Sequence, residues 1–261
     1  MINKVLARLN KQQFDVATTD NGIIRTLAGP GTGKTGTQTA HIANLINKGV
    51  NPESILAITF TNKAASETRH RIVKNTEDLG SVGWQVAAST YHSFCRKHVL
   101  KPFQSHEMFI NMGYENGFII LDDSDSESVM KEVYSNSVGG FNLVLDALCI
   151  TEKQMLRNIS DHRSKGIDFD NFSRQIKRDP IRLNAAKELK VIIDSYPISL
   201  KGVSKENKAL MSKEIGTRLQ QIKGDFIDAV VAIAWKQYAK DCSAADGLDF
   251  DDQLLFSMKL L

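Results

Sequence analysis

Residues 27–35 read Leu-Ala-Gly-Pro-Gly-Thr-Gly-Lys-Thr. Ala28 through Thr35 satisfies the spacing Ala/Gly-x4-Gly-Lys-Ser/Thr. Gly29, Gly31 and Gly33, with Pro30 and Thr32 between them, would let the backbone turn tightly and point its N–H groups at phosphate oxygens. A helix beginning near Lys34 would aim the positive end of its dipole at the same charges. Lys34 would reach the β- and γ-phosphates of a nucleotide, and the Thr35 hydroxyl would ligate its magnesium. The chemistry so encoded is the binding of a nucleoside triphosphate with its magnesium, Mg2+, for transfer or release of its terminal phosphoryl group.

Hydrolysis needs a further acid on the metal and a residue to orient water. Phe118-Ile119-Ile120-Leu121-Asp122-Asp123 has the shape of an apolar strand ending in acids, but no Asp-Glu dipeptide occurs in the sequence. The second acidic segment, Leu248-Asp249-Phe250-Asp251-Asp252-Gln253-Leu254-Leu255, reads as a capped amphipathic helix.

Positioning such a loop requires a strand before it and a helix after it. Residues 23–28 read as a buried strand, and 35–48 as a helix with an apolar face, ended by Gly49 as a left-handed residue. Residues 55–60 form a second expected strand, and Asn62 is placed to cap a helix running to about Lys74. Residues 84–88 make a third strand and 91–99 a third helix. Alternation of this kind predicts an α/β fold with a parallel sheet and right-handed crossovers. After Pro102 the pattern turns helical, with segments expected over 124–134, 151–160, 181–194, 205–221 and 225–240.

Composition excludes little: 42% hydrophobic and 24% charged residues with net charge +3 are ordinary for a globular chain. The distribution says more. Between Phe60 and Lys101 the bases Lys63, Arg69, Arg71, Lys74, Arg96, Lys97 and Lys101 face only Glu67, Glu77 and Asp78, which suits an anionic polymer or an unevenly charged solvated surface. Three scattered cysteines without a CxxC pair indicate neither a disulfide framework nor a zinc site, and fit a reducing, intracellular setting. The longest apolar run, Ala229–Trp235, is too short to span a bilayer. At the N-terminus, Lys4 and Arg8 with no acid before Asp15 give a faint likeness to a mitochondrial presequence, but Ile2, Val5, Leu6 and Leu9 fit an ordinary packed helix.

Around the loop, several segments together resemble the UvrD/Rep/PcrA group of superfamily 1 DNA helicases. Leu9-Asn10-Lys11-Gln12-Gln13 is similar to the group's Q motif, residues 57–71 (AITFTNKAASETRHR) to motif Ia, and Ser89–Phe94 (STYHSF) to motif Ib. The segments 117–123 and 248–255 also match, so the resemblance touches both ends of the chain. It implies a RecA-like P-loop NTPase sheet with an attached or inserted helical subdomain. Residues 1–100 would be the first part of ATP-binding domain 1A, 101–245 helical domain 1B, and 246–261 the return to 1A, stopping before motif II. The cofactor-binding set would be Gln13, Ala28, Gly29, Pro30, Gly31, Thr32, Gly33, Lys34, Thr35 and Gly36, with Gln13 reading the adenine edge. Phe60 would stack on a base, and Thr61, Asn62, Lys63, Thr90 and His92 would hold single-stranded DNA. Taken singly, Asn62 reads equally as an N-cap, Phe60 as core and His92 as a loop residue.

The parent protein so implied is an ATP-dependent helicase moving 3′ to 5′, intracellular and DNA-associated (nucleoid or nucleus). It would act at a duplex junction in repair, recombination or replication. The 261 residues alone would bind nucleotide but unwind nothing, the remaining helicase domains lying beyond Leu261. Two departures from the group stand out: after the loop, Gly36 occupies the place where an Arg usually packs on the base, and in motif Ia Thr68 replaces a common Met. Rival readings are another P-loop enzyme such as a small-molecule kinase, a non-enzymatic strand-binding module, or a helicase fused to a nuclease.

Overall fold

A computed structural model of the chain describes residues 2–114 and 117–261 and divides the chain into two units, Met1–His98 and Val99–Leu261. The fold is mixed α/β, mostly helical, with two small parallel sheets.

In the first unit, α1 (Ile2–Leu6) and α2 (Lys11–Thr18) precede the glycine-rich loop and α3 (Lys34–Asn47) follows it. Next come β1 (Leu56–Thr59), α4 (Asn62–Asn75), β2 (Ala87–Thr90) and α5 (Tyr91–Phe94), the last passing into a π-helical turn over Cys95–Leu100. β1 and β2 run parallel, Leu56 opposite Ala87 and Thr59 opposite Thr90, and α4 supplies the crossover that a parallel pair requires. Ile42 and Ile46 of α3 and Ile72 of α4 bury against Ile55, Ala57, Val86 and Ala88 of the strand region, forming this unit's core. α3 stops where the sequence indicates, with Gly49 in the left-handed region at φ 94°.

Three expectations for this unit need correction. Residues 23–28 are not a buried strand: the segment has no assigned secondary structure, with Ile23 fully exposed and Leu27 83% exposed. An apolar run becomes a strand only when a neighbour completes its ladder, and among the described residues none pairs with it. The third strand begins at Ala87 rather than Trp84, because Ser81–Gln85 is a 3-10 turn that leaves Trp84 on the surface. The cap of α4 is Thr61, not Asn62: the Thr61 hydroxyl accepts from the Ala64 N–H at 3.1 Å.

The second unit opens with α6 (Glu107–Asn111) and β3 (Ile119–Ile120). Its helical body is α7 (Asp123–Asn136), α8 (Gly139–Leu148), α9 (Glu152–Arg163), α10 (Phe169–Arg178), α11 (Pro180–Asp194), α12 (Lys205–Leu219) and α13 (Ile227–Ala244), followed by β4 (Gly247–Leu248) and α14 (Phe250–Leu260). β4 returns to lie parallel beside β3, Ile119 opposite Gly247. Met130, Val133, Phe141, Leu143, Leu189, Trp235 and Tyr238 are among the buried side chains of its main core. Helices α8 and α10 escape the sequence reading. α8 opens on two glycines that propensity counts against a helix, but a Cβ at Gly140 would sit 2.1 Å from the Ile193 carbonyl oxygen, so glycine is what lets α8 approach α11.

A charged cluster sits inside this unit. Arg163, 8% exposed, donates to Asp249 Oδ2 at 2.5 Å and meets Asp252 Oδ1 at 3.0 Å, while the Tyr238 hydroxyl donates to Asp249 Oδ2 at 3.0 Å. Burial pushes the Asp252 carboxyl up from the ordinary carboxylate range, Arg163 pulls it back, and the charge of Asp249 adds to the rise. Two carboxylates thus share one buried cation.

Candidate functional site

The glycine-rich loop has the backbone its sequence calls for. Gly31 (φ 75°) and Gly33 (φ 84°) lie in the left-handed region that glycine enters without strain. Gly33 stands at the N-cap position of α3, and the first long helical bond runs from Thr37 N–H to its carbonyl at 2.9 Å. The leading N–H groups of α3 therefore have no partner within the helix and face the loop end. No acidic residue occupies the first turn to compete with an anion. Lys34, the first residue of α3, folds back so that its Nζ donates to the carbonyls of Ala28 at 2.8 Å and Gly29 at 2.6 Å. The Thr32 hydroxyl donates to the Gly29 carbonyl at 2.9 Å and closes the turn. Pro30 and Thr35 are exposed and Gly36 is half-buried, with open space where its Cβ would be. These features fit nucleotide phosphates: an incoming phosphate would take over the Lys34 ammonium from two neutral carbonyls and meet α3 at its positive end. Thr35 offers one hydroxyl to a cation held by those phosphates.

Gln13 is brought to the loop by helix capping. Asn10 caps α2 by accepting from the Gln13 N–H at 2.9 Å, and the Gln13 Oε1 accepts from the Asn10 N–H at 3.0 Å. The other end of the same amide donates from Nε2 to the Thr32 carbonyl at 2.9 Å, so the side chain joins α2 to the loop. A Cβ at Gly33 would come within 2.9 Å of that Nε2. The far end of α2 is held as well, since Asn44 Nδ2 of α3 donates to the Ala17 carbonyl at 3.1 Å.

The remaining candidates gather at the C-terminal ends of β1 and β2, the edge where open α/β sheets take their ligands. Phe60 is 90% exposed, which rules out the core reading, and its ring centre lies 6.0 Å from that of Tyr91. Asn62 and Lys63 are exposed at the start of α4. Thr90 is buried and caps α5, accepting from the Ser93 N–H at 3.3 Å, and His92 is half-buried as the second residue of the same helix. Tyr91 was not singled out from the sequence, although an aromatic inside Ser89–Phe94 was signal enough. Arg69 is a second omission: its Nη2 donates to the Ala88 carbonyl at 2.5 Å, binding α4 to β2.

The acids of Phe118–Asp123 have a structural occupation. Asp122 caps α7, accepting from the Asp125 N–H at 2.8 Å, and Asp125 accepts in return from the Asp122 N–H at 3.1 Å. Asp249 caps α14, accepting from the Asp252 N–H at 2.9 Å.

The family model for the UvrD/REP helicase N-terminal domain matches residues 9–261. Among curated relatives, the ATP-dependent DNA helicase PcrA of Staphylococcus aureus (strain Mu50 / ATCC 700699) is 28% identical over 260 residues, covering 99% of this chain and 27% of the relative. The protein of the same name from Staphylococcus epidermidis (strain ATCC 12228 / FDA PCI 1200) matches at 28% over 260 residues with the same coverage. The chain thus spans about a quarter of the length of these relatives, 27%.

Proposed function

Because the chain belongs to the UvrD/REP helicase N-terminal domain family, we propose that it is the ATP- and single-stranded-DNA-binding front part of an ATP-dependent 3′–5′ DNA helicase. Its work would be intracellular, at duplex junctions in repair, recombination or replication. The observation that carries the reading is the junction of Gln13 with the loop: a glutamine amide hydrogen-bonded to the Thr32 carbonyl sets a potential base-reading group beside Lys34 and Thr35. On this reading residues 1–100 are the first part of a RecA-like domain 1A, 101–245 a helical domain 1B, and 246–261 the return toward 1A.

Each side chain has a role in this scheme. The backbone of Ala28–Gly33 and the ammonium of Lys34 bind the phosphates, Thr35 ligates magnesium, and Gln13 meets the adenine edge. Gly36 leaves one face of the base uncovered. Phe60 stacks on a base, while Thr61, Asn62, Lys63, Thr90 and His92 hold the strand's backbone. ATP bound with magnesium supplies a polarised terminal phosphate; what these residues do is cradle and orient it. The acid that completes the metal site and the water-orienting residue would come from a segment that residues 1–261 do not contain, together with the other helicase domains. Alone, the chain would then bind nucleotide without robust turnover.

The test is a fluorescent ATP analogue titrated into the chain and into Lys34→Ala, with hydrolysis measured with and without single-stranded DNA. Binding that Lys34→Ala abolishes, without turnover, is the expected result. DNA-stimulated, Lys34-dependent hydrolysis by these residues alone would overturn the division of labour. Equal binding by both proteins would overturn the nucleotide site.

A further inference from the structure

The helical unit contains a cavity of about 350 Å³ that has no part in the scheme above. Helices α9, α10, α13 and α14 wall it, with Met112 and Tyr114 from the segment after α6. Ligand pockets run to about 300–1,000 Å³, so this one suits a guest of one or two rings. Aromatic side chains make up much of the lining. Trp235 and Phe169 meet edge to face with ring centres 6.0 Å apart, and Tyr114 and Phe256 join them. Walls of this kind favour a flat ring. Charge narrows the class further. The bases Arg163, Lys240 and Lys259 line the cavity, and so do the acids Asp168, Asp170 and Asp252. An anionic guest would face three acids and a cationic one three bases, so a neutral molecule fits best.

Several polar atoms of the lining are already spent. The Tyr114 hydroxyl donates to the Gly247 carbonyl at 3.1 Å, and the Ser243 hydroxyl to the Met112 carbonyl at 2.6 Å. Lys259 Nζ pairs with Asp168 Oδ2 at 2.7 Å and ties α14 to the cap of α10. Arg163 differs. Its Nη1 holds Asp249 and its Nη2 holds Asp252, but its Nε is buried and has no hydrogen-bond partner. A buried N–H without an acceptor costs free energy that a ligand oxygen would recover. Nε and Nη2 share one edge of the planar guanidinium, so an oxygen accepting from Nε lies next to the Asp252 carboxylate. The guest that satisfies both carries a carbonyl beside an N–H. Its carbonyl accepts from Arg163 and its N–H donates to Asp252.

We propose that this cavity binds a neutral, planar, nucleobase-sized ring with a lactam edge, its faces against Trp235 and Phe169 and its lactam on Arg163 and Asp252. Hypoxanthine, guanine, uracil and thymine carry such an edge. Adenine and cytosine, in which no carbonyl stands beside a free ring N–H once the sugar is attached, do not. The inference goes beyond the nucleotide loop and the strand-binding residues and needs neither. The ring has two sources, a free base or nucleoside and a base within a strand.

The experiment reads tryptophan fluorescence. The chain has two tryptophans, and Trp84→Phe removes the one that is 56% exposed, leaving Trp235 as the reporter inside the cavity. Hypoxanthine, inosine, 1-methylinosine and adenosine are titrated into this protein, with excitation at the red edge of the tryptophan band. Hypoxanthine and inosine should give a saturable change. 1-Methylinosine keeps the rings and the carbonyl and loses only the N–H, so it should bind about tenfold more weakly or worse, as the loss of a hydrogen bond to a charged group does. Adenosine should fall in the same range. Ala239→Phe, at a half-buried position of the lining, fills the space and should abolish the response while the circular dichroism spectrum is kept. If that variant does not fold, the ligand series decides alone. A response to an adenine strand carrying one inosine, and none to the all-adenine strand, would assign the ring to nucleic acid; a response to the free compounds alone would assign it to a small molecule. Equal affinities for inosine and 1-methylinosine, a response that survives Ala239→Phe, or no response to any of the rings would overturn the proposal, and each would leave the nucleotide reading untouched.

Discussion

Replacing Arg163 with Met should unfold the helical unit in a pH-dependent way. The guanidinium is 8% exposed, bonds Asp249 at 2.5 Å and Asp252 at 3.0 Å, and lies 5.4 Å from the Trp235 ring centre. Met replaces much of its apolar volume but none of its charge, leaving two carboxylates in the interior without a cation. Removing one partner of a buried pair costs about 3–5 kcal/mol. At about 2–4 °C per kcal/mol for a unit of this size, the melting temperature should fall by about 6–20 °C. The sign with pH follows from the same geometry. Burial already raises the Asp252 carboxyl against the pull of Arg163; without that pull it rises further. An acid raised in the folded state makes that state bind more protons than the unfolded chain. Stability is then lost as pH climbs from the ordinary carboxylate range near 4 to the raised value. Thermal melts followed by circular dichroism at pH 5 and pH 8 should therefore show a larger deficit for Arg163→Met at pH 8, and Asp252→Asn in that background should recover part of it there. A deficit equal at both pH values, or below about 1 kcal/mol, would refute the idea that the cation neutralises buried charge.

Two further substitutions bear on the site. Gly36 is the third residue of α3, with an ordinary helical φ and nothing within 4 Å of a Cβ, so Gly36→Arg should fit. The gain of about 1 kcal/mol from removing a helical glycine is offset by about 0.3–1 kcal/mol for a cation near the helix N-terminus, leaving the melting temperature almost unchanged. ATP should bind about two- to thirtyfold more tightly through stacking on the base, while inorganic triphosphate, which has no base, should not; a parallel gain for triphosphate would assign the effect to charge alone. Phe60→Ala removes a ring that is 90% exposed. It should leave stability within about 0.5 kcal/mol and cost about 1–3 kcal/mol of single-strand affinity for any base sequence; strand titrations indistinguishable from wild type would remove Phe60 from the interface.

What could be seen in the sequence is what local chemistry enforces. Gly31 and Gly33 announce a loop because few other residues adopt their backbone, and Gly49 ends α3 for the same reason. Gln13 and Asn10 form a capping box whose members are three residues apart, so its logic lies within reach of pattern reading. What stayed hidden depends on partners distant in the chain. The apolar run at residues 23–28 carries no record of whether a neighbour will complete its ladder, and here it lies in the open. Gly139 and Gly140 look like helix breakers until Ile193 and Pro197 are known to press against them. Arg163 and Asp249 are 86 residues apart, and nothing in either segment foretells their meeting.

The narrow pair of β3 and β4 has an architectural consequence. Ile119 N–H donates to the Asp246 carbonyl at 2.7 Å and Leu121 N–H to that of Leu248 at 2.8 Å, so two strands of two residues each form the clasp from which residues 121–246 hang. In the language of circuits, α7 to α13 are a detour between adjacent terminals. A parallel pair asks only for a crossover of about a dozen residues. Loop closure grows only logarithmically more costly with length, by about 0.6 kcal/mol per doubling. The detour is therefore cheap to lengthen but not free to replace: Arg163 of α9 neutralises Asp249 and Asp252 beyond the clasp, so any rewritten body must return a cation to that point.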